Sequence, residues 1–317
     1  MVKRRLKPER GVALLITLLT MALMTLLIVD FTTTVALGYR AAANQADELR
    51  AYYLARSGVE VGIAILGQAA LAQINQRNAY DGLDQAWAQP IPPIPVEGGT
   101  VSLSIVDEAR KLDINELYNP QSNAANENFE PIVARLLSNI GVSTDLIPVM
   151  IDWLDPDSIE SPGGAEADYY LRLTPPYEPR NGAMPTIADL RMLKGVDDRA
   201  FMILSRFLTT MPEARINANT APPEVLAALT PETENNPDLV KEIIAARTEQ
   251  PFVQITQVAN LPGLGQLAAH LTPLLTTRSS YFTITGEGDF AGARKRIYAT
   301  VRRNLNGTAM LINWHED

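Results

Sequence analysis

Arg10-Gly11-Val12-Ala13-Leu14-Leu15-Ile16-Thr17-Leu18-Leu19-Thr20-Met21-Ala22-Leu23-Met24-Thr25-Leu26-Leu27-Ile28-Val29 decides how this chain is built. A basic leader stops at a glycine, and an uncharged run of 18 residues, Val12 to Val29, follows at once. As a helix that run is about 27 Å long, close to a hydrocarbon core of about 30 Å, so it is long enough for a single span. Lys3, Arg4, Arg5, Lys7 and Arg10 outweigh Glu9 in the leader. That excess keeps the leader on the cytoplasmic side and places the bulk of the chain outside it. An ordinary secretory signal ends in small residues after its apolar stretch, whereas here the expected cut lies before it, at Gly11, and leaves the anchor on the mature chain. The other reading of the segment is an uncleaved signal anchor.

This layout resembles the leader of type IV pilins and type II secretion pseudopilins. The resemblance implies that a prepilin peptidase cuts after Gly11 and methylates the new N-terminus, Val12. Most such proteins carry a glutamate at the fifth mature position, where this chain has Ile16. A carboxylate in lipid is tolerated only when something pairs with it. Its absence fits a subunit with nothing to pair against, as at a filament tip, and the K-type minor pseudopilin is the family member that this resembles.

Composition narrows the remaining classes. With 317 residues, 46% apolar and 20% charged, the chain can bury a sizeable core and make more than one folding unit beyond the anchor. The net charge of -9 becomes -13 once residues 1–11, five basic and one acidic, are removed. That balance disfavours nucleic acid as a partner. The absence of cysteine excludes thiol catalysis, and His270 and His315 are the only histidines. Acids such as Asp107, Glu108 and Asp113 form no base and nucleophile pair, so no enzyme is expected.

No proline occurs between Pro8 and Pro90, and Leu49, Tyr52, Ala55, Val59, Ile63 and Leu66 recur every three or four residues. The span therefore continues as an amphipathic helix to about Leu66, about 80 Å in all. Asp30, just past the apolar run, reads as an ordinary interfacial acid. Gln89 to Pro95 is an extended connector. Thr100 to Ile105 alternates as a strand, with Lys111 to Ile114 expected as its antiparallel partner. Helical spacing marks Phe129 to Ile140, Leu146 to Trp153, Ile187 to Leu193, Arg199 to Leu208 and Leu239 to Arg247. The sheet is expected to resume at Ala214 to Asn219, to return at Tyr281 to Gly286 and Arg294 to Arg303 around a glycine-rich turn, and to close with Ala309 to Trp314. The expected units are a leader at 1–11, a transmembrane part at 12–29, helix and first strands at 30–114, an inserted helical domain at 115–213, and a second helical repeat with the last strands at 214–317.

An internal repeat runs through the helical parts. Ile187, Leu190, Leu193, Gly195 and Val196 match Ile255, Val258, Leu261, Gly263 and Leu264 at a constant offset of 68, and Leu208-Thr209-Thr210 echoes Leu275-Thr276-Thr277. In the first copy the helix ending at Trp153 reaches the motif only after some 30 residues, so a loop has been inserted there.

That loop, Asp152 to Tyr170, is the best candidate for chemistry. Seven carboxylates and no lysine or arginine lie between Leu136 and Leu171. Such acids repel one another unless a cation neutralises them, and a loop this long needs a function or a brace. Calcium, with six to eight oxygen ligands, would supply both. Asp155 and Asp157 alternate as in many calcium loops, and Glu160, Glu166 and Asp168 come within range once Gly163-Gly164 folds the loop back. A solvated acidic loop is the alternative.

Asp152 to Tyr177, DWLD followed by GGAE-x-DYYL-x-L-x-PPY, is similar to a stretch of K-type pseudopilins, and the resemblance implies calcium in the helical domain. Ile216 to Leu226 is similar to that family's INxNTAPxEVL segment, with Thr220 placed to cap a helix and Pro222 in its first turn. A competing resemblance lies in Leu261 to Gly265, similar to the hairpin of helix-hairpin-helix DNA binders such as a membrane-anchored DNA-uptake protein. No lysine or arginine follows it between Gln266 and Leu275.

The expected fold is α+β: a pilin-like long N-terminal helix on an antiparallel sheet, with a large inserted all-α domain of SAM-like or helix-hairpin-helix-like type. The resemblance implies a minor pseudopilin of a type II secretion system. It would be anchored once in the inner membrane with its soluble part in the periplasm, and it would partner the I, J and H types at the pseudopilus tip together with the inner-membrane secretion machinery.

Overall fold

The computed structural model describes residues 9–74, 79–213, 215–304 and 306–316. Lys3, Arg4, Arg5 and Lys7 of the leader, and Ala214, lie outside them.

Helix α1, Glu9–Ile74, is one uninterrupted element of 66 residues, about 100 Å long. From Gly11 to Ala46 it is exposed on every side although it is rich in leucine, isoleucine and methionine. Farther on, Ala51, Ala55, Val59, Leu66 and Ala70 form one buried stripe. That stripe lies on a five-stranded antiparallel sheet of β1 (Ile94–Val96), β2 (Gly99–Asp107), β9 (Tyr281–Phe290), β10 (Ala293–Arg303) and β11 (Ala309–Glu316), in that spatial order. Alternate residues point at the helix, among them Leu103, Ile105, Phe282, Ile284, Ile297, Ala299 and Val301.

Helix and sheet touch backbone to backbone. A Cβ at Gly286 would fall 2.1 Å from the Ala55 carbonyl oxygen, and one at Gly288 would fall 2.0 Å from that of Ala51. Gly286 ends the strand expected from sequence, and Gly288, expected in the turn, also sits inside β9. The turn is made by Ala291 and Gly292, with φ of +50° and +89°.

The rest is a helical body with one continuous core, entered through β3 (Leu112–Asp113). The short hairpin β4 (Tyr118–Asn119) and β5 (Ala124–Ala125) follows, then helices α2 (Glu130–Asn139), α3 (Leu146–Leu154), α4 (Ala167–Tyr170) and α5 (Asp198–Leu204), and β6 (Leu208–Thr209). The chain then runs through β7 (Ile216–Asn217), α6 (Pro223–Ala228), α7 (Pro231–Asn235), α8 (Pro237–Glu249), α9 (Thr256–Ala259), α10 (Ala268–Leu271) and β8 (Leu275–Thr276).

Two strand expectations are overturned here. Leu112–Asp113 is not the partner of β2; it pairs parallel with Leu208–Thr209, and β2 pairs with β1 and β9. Likewise Ile216–Asn217 does not rejoin the large sheet but pairs parallel with Leu275–Thr276. The physical reason is local. Asp113 Oδ1 accepts the Asn115 N–H at 3.0 Å and Asn217 Oδ1 accepts the Asn219 N–H at 3.0 Å, so each chain turns away after two extended residues.

These paired turns extend the duplication beyond the motif visible in sequence. The amide of Asn115 brackets Met184, accepting its N–H at 2.8 Å and donating to its carbonyl at 3.1 Å. Asn219 brackets Phe252 in the same way, both contacts being 2.8 Å. Gly195 and Gly263, equivalent in the repeat, both have the positive φ that its turn requires, +85° and +78°. Each unit is thus closed by a parallel strand pair and an asparagine clasp, and α2 packs on α6 where Arg135 donates to the carbonyls of Ala228 and Leu229.

A buried polar junction joins the sheet to the helical body. Asp107, at the end of β2, accepts from Thr220 Oγ1 at 2.6 Å, Ser279 Oγ at 2.7 Å and Asn217 Nδ2 at 3.1 Å. Thr220 therefore does not cap α6, which begins at Pro223 after an extended Pro222. A carboxylate buried at 1% exposure needs that hydroxyl more than an exposed helix end does.

Candidate metal centre

The acidic loop leaves the C-terminal end of α3 and folds back on it. Asp152, fully buried, makes the closure by accepting the backbone N–H groups of Ser161 at 3.1 Å and Ala165 at 2.9 Å. Gly164 has to be glycine here, since a Cβ would fall 1.9 Å from Asp152 Oδ2. From outside the loop Lys194 Nζ donates to the Gly164 carbonyl at 2.8 Å and lies over the Tyr169 ring, so the hairpin of the first unit pins the loop down. Beneath it the tyrosines of the DYYL-x-L-x-PPY stretch form an aromatic floor. Tyr170 meets Trp153 edge-on at 5.3 Å and Tyr177 at 5.3 Å, and Tyr177 is tied by its hydroxyl to the Met192 carbonyl.

This closure gathers Asp155, Asp157 and Glu166, one oxygen of each lying within 4.8 Å of the others. Ligands on opposite sides of one calcium ion, each about 2.4 Å from it, stand about 4.8 Å apart, so the spacing fits one ion. Glu160 and Asp168 are exposed and do not belong to this group. Asp168 lies in the first turn of α4 on its exposed side, while Glu166, at the N-cap, is buried.

The electrostatics are unbalanced. Glu166 is 3% exposed with neither carboxylate oxygen hydrogen-bonded among the described residues, and Asp155 Oδ1 is likewise buried without a partner. Burial, then repulsion from Asp155 and Asp152, pushes the Glu166 carboxyl up to about 7. Burial, then repulsion from Asp157 and Asp152, raises Asp155 to about 6. Uncompensated buried acids are costly, and a hard divalent cation removes that cost. Asn181 is the residue that composition did not flag. Its amide nitrogen donates to the Asp157 carbonyl, and its Oδ1 is buried with no partner among the described residues. Being neutral and 24 residues away from Asp157 in sequence, it carries no signal in the pattern of acids.

At the other end of the chain Gly11 and Val12 lie on the exposed first turns of α1, with nothing within 4 Å of where a Gly11 Cβ would stand. In the hairpin from Leu261 to Gly265, Leu264 is buried in the common core, and the short helices that follow carry no lysine or arginine. That turn packs on α8, where a Cβ at Gly263 would fall 2.9 Å from Leu239 Cδ2.

Two family profiles, both described as type II secretion system protein K, match residues 110–213 and 216–278, together more than half the chain. Their shared edge falls where the first duplicated unit ends and the second begins. The type II secretion system protein K of Pseudomonas aeruginosa is 28% identical over 309 residues, covering 94% of this chain and 90% of that protein. Protein K of Klebsiella pneumoniae is 28% identical over 289 residues, 87% of each. In fold, the chain is similar to a chain in the crystal structure of the GspK-GspI-GspJ complex from the enterotoxigenic Escherichia coli type 2 secretion system. The TM-score is 0.73 at 18% identity, over 87% of this chain and 99% of that one. Profiles, full-length relatives and fold agree, and the chain belongs to the type II secretion system protein K family.

Proposed function

We propose that the chain works as a mechanical part, a minor pseudopilin at the pseudopilus tip that starts assembly and supports export of folded proteins across the outer membrane. The observation that carries this reading is the division of α1. Its first half is apolar and bare, suited first to lipid and then to neighbouring helices, while its second half is built into the sheet. The broad helical body beyond the sheet would not fit within a filament shaft, and Ile16 offers no carboxylate to a subunit above; both favour the end position. Partners of the I and J types are supported by the complex in which the similar fold occurs, with the H type and the inner-membrane machinery next in the same assembly. The leader would face the cytoplasm, a prepilin peptidase would cut between Gly11 and Val12, and the sheet and helical body would stand in the periplasm. No step of this function asks for catalysis.

Calcium would brace the body through Asp155, Asp157 and Glu166, with Asn181 beside them. Co-expression tests the tip assignment. With I-type and J-type pseudopilins it should yield a detergent-stable complex containing all three chains; recovery of this chain alone, with the shaft still nucleated in its absence, would sink the assignment.

A further inference from the structure

Beside the acidic loop runs a groove of about 710 Å³, walled by the β4 and β5 hairpin, the end of α3 and residues 181–184. Its size is that of an ordinary ligand pocket. Asp113 and Glu116 are its charged lining residues, and no lysine or arginine lines it among the described residues. Asp113 is only 5% exposed; one of its oxygens accepts the Asn115 N–H, and the other has no hydrogen-bond partner among the described residues. Burial and the nearby Glu116 push its carboxyl up to about 7. Asp113 and Glu116 also line a smaller cavity of about 180 Å³, which they share with Arg215 and Glu213.

The duplication supplies an internal control. Asn217 holds the position of Asp113 in the second unit, makes the same turn, and spends its amide nitrogen on the Asp81 carbonyl, Asp107 and Ser279. The fold at this position is thus satisfied by an amide, and the carboxylate of Asp113 adds a charge that the turn does not use. Along the rim Asn119, Asn123 and Asn126 each have their side-chain oxygen engaged by Gln121 N–H, Tyr118 O–H and Asn128 N–H. Their amide nitrogens remain as donors suited to peptide carbonyls.

We infer that this groove receives an extended segment of a partner polypeptide, with a lysine or arginine of that segment seated on Asp113 and Glu116 and its backbone carbonyls met by the asparagine rim. The inference stands apart from the tip assignment, and it adjoins the proposed cation at Asp155, since Pro156 and Asn181 line the groove.

The test uses the full chain in detergent micelles at millimolar calcium, titrated with a fluorescent glycine and serine peptide carrying one central lysine. Saturable binding is expected, weakened about tenfold by Glu116→Gln and by Asp113→Asn, since a charged hydrogen bond is worth about 1.5–3 kcal/mol. The glutamate version of the peptide should not bind. Asp113→Asn keeps the oxygen that makes the turn and removes a buried charge, and Glu116 is exposed, so neither variant should melt below the parent. No saturable binding up to millimolar peptide, equal binding by parent and Glu116→Gln, or displacement of the peptide by further calcium would overturn the inference. The last outcome would make the two carboxylates a second metal site.

Discussion

Arg303 Nη2 lies 2.6 Å from Asp81 Oδ2, in a pair whose side chains are 6% and 1% exposed. Arg303 ends β10 and Asp81 follows the long helix in the chain, so the pair ties the sheet to the segment that leaves α1. Asp81 also accepts the Ser279 N–H at 2.9 Å, which brings in the chain between β8 and β9. Removing one partner strands the other as a buried charge, at a cost of about 3–5 kcal/mol. Arg303→Met should therefore lower the urea midpoint sharply, while Arg303→Met combined with Asp81→Leu should recover much of the loss. A loss in the double variant equal to the sum of the two single losses would show that the pair is not coupled.

The acidic loop sets a pH dependence whose sign can be worked out. Without calcium, Glu166 near 7 and Asp155 near 6 hold protons that the unfolded chain, with ordinary carboxyls near 4, has already released. Native binds more protons than unfolded across that window, so stability is greatest below about 4 for these groups and falls as pH rises through 6 and 7. Melting of the calcium-free protein should drop between pH 5 and pH 7.5. Calcium should reverse the drop, by about 2.7 kcal/mol when present at a hundred times its dissociation constant. Melting indifferent to calcium at pH 7.5 would contradict the proposed centre, and Glu166→Gln should remove the calcium response while relieving the calcium-free loss.

Gly164→Ala tests the loop closure directly. The added methyl would collide with the Asp152 carboxylate, which is helix-borne and cannot retreat cheaply. Calcium affinity should fall at least tenfold, with a smaller loss of stability, as read by calorimetry with calcium titration. Lys194→Met, which releases the Gly164 carbonyl from outside, should give a milder version of the same defect.

At the membrane end, the mature protein purified from cells with a prepilin peptidase should begin at Val12 by mass spectrometry, one methyl group heavier than the bare peptide. A chain beginning at Met1, or beginning beyond Val29, would contradict the processing proposed. Ile16→Glu would place an unpaired acid in lipid, at a cost of about 2.5–3.5 kcal/mol. Secretion should fall or tip placement change, measured by export of a reporter substrate.

Much of this protein was legible locally. The anchor, the long helix, the alternating strands, the acid loop and the repeat at offset 68 each depend on patterns within a few dozen residues, where helical or strand periodicity and charge act through near neighbours. Other features required partners from far along the chain. Leu112–Asp113 and Ile216–Asn217 were too short to carry a register, and their pairing with Leu208–Thr209 and Leu275–Thr276 was decided when each helical unit closed. Thr220 looked like a helix cap until the fold placed buried Asp107 beside it. Composition nominated five acids, and the tertiary structure selected Asp155, Asp157 and Glu166 because Asp152 and Gly164 bend the loop while α4 turns Asp168 outward. Sequence by itself marked the long helix, the strands of the large sheet and the acid-rich loop, since those follow from local periodicity and charge, while Leu208, expected at a helix end, is a strand residue. Only the tertiary structure decided which of those segments meet, because burial makes an unpaired polar group costly and each such group is satisfied by whatever the closed chain brings to it.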